Sequence, residues 1–268
     1  MAIIKNGVNY MVEWAINAGI GGIIYQIFFY SGFVGLFIFL LCTCKKYKIE
    51  KWKSVVFTVS VYLMAYVWMF LLYWVAHGFQ NFGGNNIVRI FVWLPVFVWI
   101  MAKILKIDYK TALDFVSPCL CINHGIAHLG CIFAGCCHGY VSEFGVFNPI
   151  VQQKTFPIQP IEAVTALIIA VIIALRNKKR KYVPDGLSFP IMLMLFGYTR
   201  FIFEFFRDNR NTDLLFDFLS LKPGMYWCYI TTLGIHALFA AVVGTVWVII
   251  AKLKAKKRKK VTADVSEN

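Results

Sequence analysis

Seven stretches of this chain are apolar for about the length that a helix needs to cross a lipid bilayer, and they dictate what it can fold into. They run at 19–42, 54–76, 87–105, 113–135, 158–175, 187–206 and 226–251. A helix rising 1.5 Å per residue needs about 20 apolar residues to span the hydrocarbon core. Hydrocarbon offers no partner for a bare N–H or C=O, so such runs satisfy their backbone as helices. The expectation is an all-α polytopic membrane protein of seven transmembrane helices. Residues 1–252 form the membrane domain and 253–268 a basic, polar tail. Composition agrees, with 60% of residues hydrophobic and 15% charged, where a soluble domain carries about a quarter charged. The first run is too long for a cleavable leader and lacks a basic start, so none is expected.

The net charge of +14 does not point to nucleic acid, because of where the charges sit. Twenty of the 27 Lys and Arg fall in four clusters: Lys45–Lys53, Lys103–Lys110, Arg176–Lys181 and Lys252–Lys260. These follow the first, third, fifth and seventh runs, so every second connection is basic. The positive-inside rule then places the N-terminus outside and the C-terminus in the cytoplasm. The partner implied is the bilayer itself.

Ionisable side chains inside such runs cost about 2.5–3.5 kcal/mol each on insertion scales, so they face an interior or one another. Arg200, Glu204 and Arg207 recur at i, i+4 and i+7 and share one helix face. They read either as an ion-paired helix end or as a cationic face for an anionic group such as a lipid phosphate. Glu162 lies early in the fifth run and needs a partner, for which Arg200 and Arg207 are the candidates. The fourth run carries Asp114, Asn123, His124 and His128, then Cys131, Cys136 and Cys137. Most of the eight cysteines lie in apolar runs, unlike a disulfide scaffold. The spacing is not a paired CxxC motif, and vicinal Cys136 and Cys137 cannot point the same way on a helix. Buried inert thiols are therefore the expectation, with a metal site the alternative. Tyr25 alone reads as an interfacial anchor, and Gly83-Gly84 alone as a turn.

Taken in order, these pieces resemble the bacterial prolipoprotein diacylglyceryl transferase family, from about Tyr25 to Arg207. Tyr25 precedes Gly32-Phe33 by the family's spacing. Phe82-Gly83-Gly84 stands where the family has His-Gly-Gly. Asp114 lies fourteen residues before His128, which occupies the position of the signature arginine. The signature reads Ala127-His128-Leu129-Gly130-Cys131-Ile132-Phe133-Ala134-Gly135-Cys136-Cys137-His138-Gly139. Further on, Phe156-Pro157-Ile158-Gln159-Pro160-Ile161-Glu162 matches the family's His-Pro-Ser-Gln-Leu-Tyr-Glu. The segment Phe196-Gly197-Tyr198-Thr199-Arg200-Phe201-Ile202-Phe203-Glu204-Phe205-Phe206-Arg207 matches its most specific motif. The departures are His128 for Arg, Cys131 for Asn, Cys136 for Glu and Phe82 for His.

The resemblance implies seven helices and the transfer of a diacylglyceryl group from phosphatidylglycerol to the lipobox cysteine of prolipoproteins, with release of glycerol phosphate. It implies Tyr25, His128, Arg200 and Glu204 as catalytic residues. Asp114, Gly83, Gly84, Cys131, Gly139, Gln159, Glu162 and Arg207 would bind substrate. No metal or cofactor is called for. His128 would serve either as a cation or as a base toward a thiol. The substituted signature leaves two alternatives, a sister transferase with another acceptor and a non-catalytic lipid-binding membrane protein.

Overall fold

The computed structural model describes Val12, Ala15 and residues 19–76, 87–208 and 232–266. Among them, each of the seven apolar runs corresponds to a helix: α1 (Gly21–Thr43), α2 (Lys51–Ala76), α3 (Ile87–Leu105), α4 (Tyr109–Ala134), α5 (Ile158–Lys179), α6 (Ser188–Glu204) and α7 (Thr232–Ser266). Four segments are long and apolar enough to cross a membrane: Gly21–Tyr47, Tyr109–Ala134, Ile158–Lys179 and Leu233–Lys257. A short hairpin joins α4 to α5, with β1 (Val141–Asn148) antiparallel to β2 (Gln153–Thr155) and a bulge between Val141 and Val146. The all-helical expectation misses this hairpin, because a lysine-poor polar connection shows no apolar run to mark it.

The burial pattern inverts that of a water-soluble bundle. Ile23, Ile27, Tyr30, Val34, Ile38 and Leu41 form an exposed apolar stripe along α1, at the spacing of one helix face. Asp114, His124, His128, Glu162, Arg200 and Glu204 lie inside. An outer face of this kind suits lipid, and an inner one suits groups that satisfy each other.

Helix α4 is the axis. Its apolar window has a mean hydropathy of 1.4 and is 72% buried, against 2.2 and 28% for that of α1. It packs most closely against α1 and α5, while α6 packs on α7. At Gly130 the α1 backbone comes so near that an added Cβ would lie 3.0 Å from the Tyr25 carbonyl oxygen and 2.9 Å from Phe28 Cβ. A side chain there would push α1, and Tyr25 with it, away from the signature segment.

At the lysine-rich end of the bundle, Asp114 acts as an anchor. Its Oδ2 accepts from the Asp185 and Gly186 amides at 2.9 and 3.0 Å, and its Oδ1 from the Ser188 amide at 2.9 Å. The loop into α6 thus starts on a carboxylate of α4, where a helix N-terminus favours negative charge. Beside it, Asp185 pairs with Arg176 at 2.5 Å and Arg180 at 3.3 Å. Burial raises the Asp185 carboxyl's proton affinity, but the Arg176 contact, the Leu187 amide and the Arg180 charge outweigh it and hold the pKa below the ordinary value. A depressed carboxylate stabilises the fold above its unfolded pKa of about 4, and this contribution fades as pH falls through the lower folded value. Asp114→Ala leaves three amide donors without their acceptor, at a cost of about 1–3 kcal/mol for each buried group. A clear fall in the thermal midpoint of the detergent-solubilised protein is expected, and an unchanged midpoint would refute the anchoring role.

Candidate functional site

The other end of α4 meets the ends of α5 and α6, and there the buried charges converge. Glu162, on the first turns of α5, is the hub. Its Oε1 accepts from Arg200 Nη1 at 3.2 Å and from Arg207 Nε at 3.1 Å, and its Oε2 from Arg207 Nη2 at 2.5 Å. Arg200 also pairs with Glu204 Oε2 at 2.5 Å, and Arg207 Nε lies 4.0 Å from the same oxygen. His128 Nδ1 approaches Glu162 Oε2 to 3.3 Å. The five residues are between 3% and 8% exposed, so their attractions act in a medium of low dielectric. His124 packs its ring 4.2 Å from that of His128 and edge-on to Phe196 at 5.0 Å. Two guanidiniums and two carboxylates leave the group close to neutral, apart from any charge on His128.

The one-face spacing of Arg200, Glu204 and Arg207 holds, although α6 stops at Glu204 and Arg207 follows in a turn. Arg207 is held by the segment after α4. It forms an antiparallel bridge with Gly139, the Asp208 amide donates to the His138 carbonyl at 3.0 Å, and the Tyr140 amide to the Phe206 carbonyl at 3.2 Å. Gly139 is small for a reason. A Cβ there would lie 2.5 Å from the Phe156 oxygen and 2.9 Å from that of Phe206. Phe156 stacks on both Tyr140 and Phe206, and Gln159 Nε2 donates to the Cys136 carbonyl at 3.1 Å.

The cysteines depart from expectation. Helix α4 ends at Ala134, Gly135 adopts a left-handed conformation (φ 70°), and Cys137 does likewise (φ 57°). Freed from helical geometry, Cys136 and Cys137 turn back toward Cys131, and the three sulfurs lie within 4.8 Å of one another. Asn148 of the hairpin donates to the Gly135 carbonyl at 2.9 Å and so fixes this helix end. Tyr25 stands beside the trio, its hydroxyl within electrostatic range of all three thiols. Arg207 and His128 are in like range of Cys137.

Of the residues that the sequence singles out, Tyr25, His128, Cys131, Gly139, Gln159, Glu162, Arg200, Glu204 and Arg207 therefore gather at one end of the bundle. Asp114 does not. It lies fourteen residues along α4 from His128, about 21 Å at helical rise, and its carboxylate is taken up by backbone amides. There it holds the loop into α6. Gly83 and Gly84 lie outside the described residues.

A sequence model of the prolipoprotein diacylglyceryl transferase family matches residues 6–250. The chain belongs to that family. It is also 26% identical over 157 residues to the phosphatidylglycerol–prolipoprotein diacylglyceryl transferase of Chlorobaculum tepidum, a match that covers 57% of this chain and 54% of that protein. The chain thus spans about half the length of the curated relative it matches. Within the family fold, the ionic cluster on α5 and α6 and the thiol trio after α4 are neighbours, joined by the Gly139–Arg207 bridge.

The hub position of Glu162 has a measurable consequence. Removing one partner from a buried ion pair typically costs about 3–5 kcal/mol, because the other charge is stranded. Glu162→Ala strands two guanidiniums and is expected to destabilise at least that strongly in thermal unfolding. Arg200→Ala/Glu162→Ala is expected to recover part of the loss. Additive losses in the double variant would remove the coupling inferred between them.

Proposed function

We propose that this chain transfers the diacylglyceryl group of phosphatidylglycerol to the lipobox cysteine of prolipoproteins. The observation that carries the reading is the convergence of Arg200 and Arg207 on Glu162, with Glu204 alongside, at the family's most specific motif. The reaction breaks the bond between the glyceryl carbon and its phosphate oxygen, and forms a carbon–sulfur bond to the acceptor. A phosphate leaving in a dry site needs preorganised cations, a contribution of several kcal/mol. Guanidinium forks match a phosphate's oxygens in pairs. In the arrangement described, the carboxylates hold both guanidiniums. An arriving phosphate exchanges an internal Arg–Glu contact for an Arg–phosphate one; it adds negative charge to a nearly neutral group, which a protonated His128 would offset.

The remaining roles follow from position. Glu204 orients Arg200 through their i, i+4 pair, and Glu162 holds Arg200 and Arg207 at a common point. Tyr25 offers a hydroxyl to the lipid head group, and Gln159 and Gly139 fix the segment that closes over Arg207. His128, where the family carries arginine, stands against Glu162 as an acid–base group or a cation. In this reading the seven helices span a bacterial plasma membrane with the N-terminus outside and the basic tail in the cytoplasm, which places the ionic cluster toward the outer leaflet.

Purified protein in phosphatidylglycerol-containing micelles, given a lipobox peptide, is expected to yield a diacylglyceryl peptide and glycerol phosphate in equal amounts. Arg200→Ala is expected to lower kcat/KM by roughly 10²–10³-fold, as the loss of a preorganised charge donor does elsewhere. Neither product, under conditions where an authentic family enzyme turns over, would end the proposal. Unchanged turnover in Arg200→Ala would take the leaving phosphate away from that guanidinium.

A further inference from the structure

Cys131 and Cys136 stand where the family has Asn and Glu, so the thiol trio they form with Cys137 is a feature of this chain's own signature. Cys131 projects from the last turn of α4, and Cys136 and Cys137 return from the turn that follows, so that the three sulfurs lie within 4.8 Å of one another. A tetrahedral zinc with bonds of about 2.3 Å places its sulfurs roughly 3.8 Å apart, so closing the trio on a metal asks for movements of about an ångström. Three thiolates are a soft donor set, of the class that binds zinc rather than magnesium or calcium. The set is graded in access: Cys131 is buried, Cys136 half-buried and Cys137 exposed. A metal held there is covered on one side and open on the other, the form taken by zinc sites with three protein ligands and a vacant fourth position.

A second group, His124, His128 and Glu162, also brings donor atoms within 4.8 Å. It is the poorer choice, because Glu162 already carries two guanidiniums, whose charges would repel a cation. The trio has the opposite setting. Three thiolates on one divalent ion leave a net negative charge, and Arg207 and His128 are within electrostatic range of Cys137 to balance it.

We infer that Cys131, Cys136 and Cys137 bind a zinc ion whose open fourth position takes the acceptor thiol, and that the site thereby supplies the nucleophile for the transfer proposed above. The inference rests on that reading for its chemistry and on the three sulfurs for the metal. On binding, the acceptor loses its thiol proton to water, since a metal-coordinated thiol is deprotonated outright. Otherwise only a few per cent of a thiol is ionised at neutral pH. The coordinated sulfur's electron pair attacks the glyceryl carbon. The carbon–oxygen bond breaks with its electrons going to the phosphate oxygen, glycerol phosphate leaves, and the neutral thioether product, a weaker ligand than a thiolate, is released from the metal. Nothing is oxidised or reduced. The Gly139–Arg207 bridge sets the nucleophile's site beside the guanidinium that receives the phosphate.

The test uses the full chain, purified in detergent without chelators, and elemental analysis. One zinc per chain is expected, and none in the Cys131→Ser/Cys136→Ser/Cys137→Ser variant. Equal zinc in both, or none in either, overturns the site. Should the triple variant fail to fold, the exposed single change Cys137→Ser serves. It is expected to release zinc to a competing chelator at least about tenfold more readily, since even changes beyond the ligands themselves cost that much, and equal retention refutes the ligand assignment. Replacing zinc with cobalt is expected to give thiolate charge-transfer bands and tetrahedral d–d bands. A lipobox peptide with a free cysteine should shift the d–d bands, and its serine analogue should not. Bands indifferent to the cysteine peptide overturn the acceptor role. The two readings separate cleanly: a cobalt response without diacylglyceryl product sinks the transferase reading, and product formation by protein free of metal sinks the zinc.

Discussion

Glu162 carries more of this structure's consequences than any other side chain. A carboxylate in the interior of an apolar bundle is tolerable only with partners, and Arg200 and Arg207 are tolerable there only with Glu162 and Glu204. The pairing ties the start of α5 to the end of α6 and to the residue beyond it. Through Arg207 it also fixes the segment after α4, because Gly139 bridges that residue. One buried carboxylate thus registers three helix ends against each other. The same requirement that stabilises the fold leaves guanidinium donors poised in a poorly hydrated place, which a phosphate ester can use.

The two ends of the bundle solve the problem of buried polarity differently. At the lysine-rich end, Asp114 meets backbone amides and cannot be displaced without unmaking the loop into α6. At the other, side chain meets side chain, and an ion of the right charge can enter the exchange. A carboxylate satisfied by amides is architecture, whereas one satisfied by guanidiniums can be part of a binding site. This difference, and not sequence position, separates Asp114 from Glu162.

Much of this was legible in the residues. Apolar run lengths mark all seven helices, because hydrocarbon leaves the backbone no other choice. The i, i+4, i+7 spacing of Arg200, Glu204 and Arg207 announces a shared face, and an acid stranded in an apolar run announces a partner. Three things were hidden. The role of Asp114 depends on a loop seventy residues away in the chain, and no local pattern reports such a contact. The expectation for the cysteines rests on continued helical geometry, whereas Gly135 ends α4 in a left-handed turn and redirects the next two side chains. A glycine just past a helical run followed by adjacent cysteines is the signal that was there to be used. The hairpin was likewise invisible, being held by contacts to Gly135 and to the turn after α6.

The length of α6 bears on how a lipid meets this protein. Its 17 residues rise about 26 Å, several ångströms less than the hydrocarbon of an ordinary bilayer, about 30 Å thick. Lipids adapt to a short hydrophobic surface by thinning around it. In the proposed orientation that shortfall falls beside Arg200 and Glu204, where a thinned leaflet would bring lipid phosphates toward the guanidiniums. On the reading proposed above, hydrophobic mismatch would carry the lipid donor part of the way to the site.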